Sequence, residues 1–183
     1  ALARNMPAYT IPWNQLNAAP VLQSLLDEGA KVRTSMKPFS AQTEKGLQAH
    51  ERGALVVQVG IQDSAKVPAI LDILDRAALS GLTVHALPST LTSVGPDLGS
   101  KHFPLIEPPR PVILGGQGTS TYEPGEAWFL LDQRLGLPAV MIELQHLENS
   151  ALSRYTHLLL QDGDYRAVND DLRQEIVGWV KAG

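Results

Sequence analysis

Residues 110–144, RPVILGGQGTSTYEPGEAWFLLDQRLGLPAVMIEL, decide how the fold is read. Val112, Ile113 and Leu114 form a short apolar run, and Gly115, Gly116 and Gly118 make a flexible turn behind it. Residues 126–135 then carry helical spacing, with Trp128, Leu131 and Leu135 falling near one face. Gly136 and Pro138 stop such a helix, and residues 139–144 read as a second strand. Strand, glycine turn, helix and strand make a βαβ unit, which closes right-handed onto a parallel sheet. This pattern gives a fold class and no reaction.

The chain has 183 residues, 44% of them hydrophobic and 19% charged, enough for one large domain or two small ones. A net charge of -4, with 15 Lys and Arg scattered along the chain, argues against a nucleic-acid surface, which needs clustered cations. No apolar run approaches the roughly 20 residues of a spanning helix, so no membrane span is expected. The absence of cysteine excludes a disulfide framework, a thiolate zinc site and a cysteine nucleophile. Ala1 is not followed by a charged and then apolar leader, so the sequence reads as lacking a signal peptide, either removed or left behind when a piece was excised from a longer protein.

Upstream of the βαβ unit, residues 9–13 are a strand candidate. Asn17 can cap a helix whose Leu22, Leu25 and Leu26 share a face, with Pro20 in its first turn and Gly29 at its end. Residues 31–36 follow as a strand, and residues 40–52 are polar and read as a surface connection with room for a helical turn. The run ALVVQV at 54–59 is the strongest strand of the first half. Asp63 or Ser64 opens a helix with Val67, Ile70, Leu71, Leu74 and Ala78 on one face, ended by Gly81 ahead of a strand at 82–87. Aligning Pro20 with Pro68 pairs Leu22 with Ile70, Leu25 with Ile73 and Leu26 with Leu74, which suggests two βαβ-like halves. Any two amphipathic helices with a first-turn proline would align comparably.

Residues 88–103 are rich in Ser, Thr, Gly and Pro and read as a long loop of the kind that carries function or meets a partner. Residues 104–111, PLIEPPRP, read as a stiff linker. The expected fold class is therefore α/β in two small lobes, residues 1–107 and 108–183, each a parallel or mixed sheet flanked by helices. In the second lobe residues 155–160 are a third strand, QDGDY at 161–165 is its turn, and Asp170 or Asp171 opens a last helix with Leu172, Ile176, Trp179 and Val180 on one face. That lobe reads as the first half of a flavodoxin-like sheet, incomplete at its C-terminus because a strand should follow the last helix. A bare sheet edge left there would be protected by a loop or by a homodimer.

The candidate ligand-binding residues cluster around the glycine turn. The amides of Gly115, Gly116, Gln117 and Gly118 sit between a strand and a helix, where they can hold an anion, although neither GxGxxG nor GK[ST] is present. Ser120 follows the turn, but no GxSxG elbow and no neighbouring histidine make it a nucleophile. Glu123 and Glu126 fit the N-terminus of the next helix, where the dipole favours acids. Asp162 and Asp164 flank Gly163 after a strand, where α/β proteins place active residues and where loops also place ordinary turn acids. His50, His85, His102, His146 and His157 belong to no HxxE or HExxH pattern, and each reads as a surface or hydrogen-bonded histidine. His146 and Glu148 are two apart, poor spacing for a shared metal. No residue is assigned as catalytic or as a metal ligand.

The runs VILGGQGTSTYEPGEAWFLLDQRLGLPAVMIE, LSRYTHLLLQDGDY and LRQEIVGWVKAG together resemble the class I glutamine amidotransferase-like region downstream of the catalytic domain in bacterial zinc carboxypeptidases of the carboxypeptidase A type. RGALVVQVGIQ and VHALPSTLTSVGPDLGS are similar to the region joining the two. Amidotransferases carry a cysteine on the strand after a helix such as the one at 172–181, and this sequence offers no position for it or for the peptidase zinc ligands. The resemblance thus implies a noncatalytic accessory domain of a secreted metallocarboxypeptidase, extracellular or periplasmic, with no cofactor of its own. Zinc and the removal of C-terminal residues belong to the upstream peptidase catalytic domain, its expected partner. Alternatives are a module binding a small molecule or peptide in a cleft between the lobes, and the remnant of an amidotransferase-like hydrolase.

Overall fold

The structure, a computed structural model, describes residues 2–149, 151–166 and 168–183. The chain is mixed α/β and divides into two compact units, Ala1–Pro108 and Pro109–Gly183.

The first unit contains β1 (Ala8–Ile11), α1 (Ala18–Asp27), β2 (Val32–Thr34), β3 (Phe39–Thr43), β4 (Gly46–His50), β5 (Leu55–Gln58), α2 (Val67–Leu79) and β6 (His85–Leu87). Its main sheet has the order β2-β5-β1-β6, and every neighbouring pair is antiparallel. The expected parallel or mixed sheet is therefore corrected. In each βαβ half the returning strand leaves a gap one strand wide, and the gap is filled by a strand of the other half running the opposite way. This interleaving is the split-βαβ, ferredoxin-like arrangement. It keeps the two halves suggested by the helix alignment while reversing the neighbours.

Strand alternation sorts the side chains by face. Tyr9, Ile11, Val32, Leu55, Val57 and Ala86 point to one side and pack with Leu25, Leu26, Ile70, Leu71, Leu74 and Ala77 of the helices. The buried stripe of α2 runs through Ala77 rather than the expected Ala78. Asn17 stands at the N-cap of α1 with no side-chain cap bond, whereas Asp63 Oδ1 accepts from the Ala65 amide and shapes the turn leading into α2. Each fully buried Leu or Ile contributes about 1.5–3 kcal/mol, so these two stripes hold the helices down.

The opposite face is covered by β3 and β4, a two-stranded hairpin in residues expected to form a surface connection. Its inward positions, Phe39 and Ala41, join Ala8, Ala54, Val56, Leu87, Leu98 and Phe103 in a second core. The period-2 signal is weak because Ala and Thr share the inward side with one Phe. At the hairpin turn Thr43 Oγ1 donates to the Gly46 carbonyl and accepts from the Lys45 amide, and Gly46 takes a φ of 99° that other residues resist. The long loop supplies Leu98 and Phe103 to this core and meets the hairpin at Ser40. The supposed linker is tied down at its start, because Thr34 N donates to Pro104 O and Ile106 N to Val32 O along the outer edge of β2.

The second unit contains β7 (Pro111–Gly115), α3 (Glu123–Trp128), β8 (Val140–Glu143), β9 (His157–Leu159) and α4 (Asp170–Ala182). The order is β8-β7-β9, all parallel. The helix expected at 126–135 begins at Glu123 and passes at Phe129–Arg134 into a π-helical segment. Wider winding rotates the expected face. Trp128 is 37% exposed, and Leu131 and Leu135 are only half-buried. The path from β8 to β9 uses 3-10 turns at Leu144–Asn149 and Leu152–Arg154. Leu114, Leu144, Leu147, Leu152 and Leu172 form the core beneath α4, with Ile176 and Trp179 against it. Asn169, not Asp170 or Asp171, caps α4 by accepting from the Leu172 amide at 2.8 Å, and Val180 lies outside the buried stripe.

Candidate functional site

Because β7 is central, the chain leaves it to one side for β8 and reaches β9 on the other. In open α/β sheets the crevice outside the carboxyl ends of the strands at such a divergence is where ligands bind. A cavity of about 480 Å³ opens there, lined by Gln117 and Gly118 after β7, Leu144 and Gln145 after β8, and Asp164, Val168 and Leu172 after β9.

The glycine turn adopts its path because Gly116 and Gly118 hold φ of 92° and 95°. A Cβ on Gly116 would stand 3.1 Å from the Glu143 Cβ, and one on Gly118 would stand 3.0 Å from the Asp164 carbonyl oxygen. Gly115 ends β7 and faces Pro124 at the start of α3. The turn is stitched to the loop behind β9: Asp164 N donates to Gly118 O at 2.6 Å, Ser120 N to Asp162 O at 2.9 Å, and Asp162 N to the Glu123 carboxylate at 2.8 Å.

Of the residues singled out in the sequence, Gln117 and Gly118 line the cavity, and Gly115 and Gly116 shape its rim. Ser120 and Asp162 serve the stitching through their backbones, and Ser120 Oγ is 3.5 Å from the Glu123 amide. Glu126 is exposed on the first turn of α3 and does not reach the cavity. Gln145 and Leu144 belong to no motif in the sequence, and both immediately follow β8, the position the crevice rule favours.

Among the described lining residues, Asp164 alone carries a formal charge. The Arg166 guanidinium grips its carboxylate in a fork and, with the Arg166 amide, holds it below the usual carboxylate range. Burial pushes the neighbouring Tyr165 hydroxyl up, while Tyr165 itself donates to the Gln161 carbonyl. The cavity thus offers an ionised acceptor, two carboxamides and a floor of Leu144, Val168 and Leu172. Such a lining suits a small molecule with a cationic or hydrogen-bond-donating end better than an anion.

Glu143 Oε2 and His146 Nδ1 stand 3.8 Å apart, a pairing that is ionic only when the imidazole is protonated. The side chain of Glu148, considered beside His146 from the sequence, lies outside the described part of the structure. Among the described residues no three His, Asp or Glu side chains converge as a metal site, and no helix is long and apolar enough to cross a membrane. No protein-family model, curated protein or solved structure matches the chain significantly.

Proposed function

We propose that this chain is a noncatalytic accessory part of a secreted zinc metallocarboxypeptidase. Its second unit then acts as a flavodoxin-like, class I amidotransferase-like lobe that holds a small polar ligand or peptide end. The observation carrying this reading is the cavity at the carboxyl ends of β8, β7 and β9, where one ionised carboxylate and two carboxamides converge above an apolar floor. Its donors and acceptors can bind and orient a ligand. Ser120 Oγ stands 3.5 Å from the Glu123 amide, at the start of α3. Zinc is assigned to the upstream peptidase domain, and no step is routed through it here.

The experiment compares the release of C-terminal residues and the zinc content of this chain with those of the longer protein. Activity and stoichiometric zinc only in the longer protein are expected. Peptidase activity or bound zinc in this chain alone overturns the accessory role.

A further inference from the structure

On the face of the first unit's sheet that looks away from α1 and α2, two histidines from distant parts of the chain meet. His50 closes β4 and is 2% exposed. Phe39, its partner across the hairpin, stacks on it with ring centroids 4.6 Å apart, and the His85 ring stands edge-on to it at 5.3 Å and 77°. Thr10, which faces His85 in the β1 and β6 register, places Oγ1 3.4 Å from His50 Nε2. His50 Nδ1 is buried with no hydrogen-bond partner.

A neutral imidazole leaves one ring nitrogen unpaired here, a smaller cost than burying the charged form. An imidazolium has two N–H donors and a charge, and here the second donor meets no acceptor. The charged groups on the surrounding elements offer no relief. Lys45 in the hairpin turn acts on His85 as a like charge, and Glu44 beside it acts on neither ring. Arg33 of β2 spends its guanidinium on the Phe103 carbonyl, and in the covering loop Asp97 is engaged by Thr92. His102 of that loop adds no negative charge. Burial first, then His85, pushes His50 down to about 4, and burial with Lys45 lowers His85 as well.

The hairpin is separable. β3 and β4 form a two-stranded sheet of their own, bridged to the covering loop at Ser40 and Val94, so they can leave without breaking a ladder of the four-stranded sheet. The hairpin turn, through Thr43, Glu44 and Lys45, also forms one wall of a cavity of about 370 Å³ whose opposite lining includes His85 and the chain following α2.

We propose that His50 and His85 form an acid-released latch: neutral, they clamp the β3 and β4 hairpin onto the sheet, and protonated, they release it and open the cavity behind its turn. Each ring protonated only on opening increases the open fraction by up to about tenfold per pH unit below the ordinary histidine value.

The test is amide hydrogen exchange on the intact chain at about pH 7 and about pH 5, corrected for intrinsic rates, with imidazole titrations followed by NMR. Residues 39–50 are expected to exchange through an opening less costly than the one that frees β1 and β5, and to lose at least about tenfold protection at the lower pH; His50→Phe, which keeps the stacking, is expected to abolish that loss. Protection at 39–50 that persists at the lower pH overturns the latch. So does protection at 39–50 equal to that of β1 and β5 at both pH values, which would mean exchange by global unfolding alone, or a His50→Phe variant with undiminished pH dependence. If that variant does not fold, the wild-type titration decides, and a His50 that titrates at the ordinary histidine value rejects the proposal.

Discussion

Thr119 and Gly163 pair as an isolated antiparallel bridge that joins the turn behind β7 to the loop behind β9. Two loops from different strands thereby become one wall of the second unit's cavity. The approach requires glycine for reasons of space: a Cβ on Gly163 would lie 2.7 Å from the Gly118 carbonyl oxygen and 2.8 Å from the Thr119 Cα.

Gly163→Ala is therefore expected to force the two backbones apart at a cost of about 1–3 kcal/mol, the range for overpacking against atoms that have nowhere to go. The loss should be accompanied by shifted amide resonances at Gln117, Gly118 and Asp164. A variant with unchanged melting temperature and unchanged resonances there would show that the bridge does not constrain the cavity.

The two asparagines at helix starts behave differently. Asn169 accepts from the Leu172 amide, while Asn17 makes no side-chain cap bond. Asn169→Ala should cost about 1 kcal/mol and Asn17→Ala much less. Urea denaturation of the two variants, followed by circular dichroism, checks the difference, and equal losses contradict the assignment.

The buried His50 also sets the direction of pH dependence. Its folded value of about 4 lies below the ordinary ~6.5, so between these values the unfolded chain binds a proton that the folded chain does not. Stability is then full above about pH 6.5 and falls as the pH drops, by up to about 1.4 kcal/mol per unit from His50, then levels off near 4. His85 contributes with the same sign. The depressed carboxyls of Asp75 and Asp164 act in a lower window, losing their contribution as the pH falls below the ordinary carboxylate value. Denaturation midpoints at pH 7, 6 and 5 test this, and a first unit equally stable at all three rejects it.

The elements readable from the sequence were those whose period is carried by large apolar side chains: ALVVQV gave β5, the Ile70 and Leu74 stripe gave α2, and VIL gave β7. The hairpin escaped because Ala41 and Thr43 fill inward positions that look polar or neutral in a linear reading. Antiparallel pairing escaped for another reason. A βαβ pattern fixes the direction of its own two strands but does not say whether a strand from elsewhere lies between them. His50 and His85 each read singly as a surface or hydrogen-bonded histidine, and because they stand 35 positions apart only the sheet register reveals that they meet. In the second unit the crevice follows from the order of strands, whereas the ionised character of Asp164 depends on its distance to Arg166 and on which loop faces inward.

That character gives the last prediction, which rests on the proposed ligand-binding role. If Asp164 receives the cationic end of a ligand, an alkylamine such as n-butylammonium should shift the resonances of Gln117, Gly118 and Gln145, and acetate should not. Asp164→Asn preserves shape and removes the charge, so it should weaken the amine by about tenfold or more, as expected for a hydrogen bond to a charged group. Arg166→Ala acts oppositely. It removes the fork now occupying the carboxylate, raises the Asp164 pKa toward its ordinary value, and at neutral pH leaves an ionised group with freer lone pairs. Amine binding should therefore hold or strengthen in Arg166→Ala and drop in Asp164→Asn. Equal weakening in both variants would mean that the pair acts by holding the loop in place and that the ligand is recognised elsewhere in the lining.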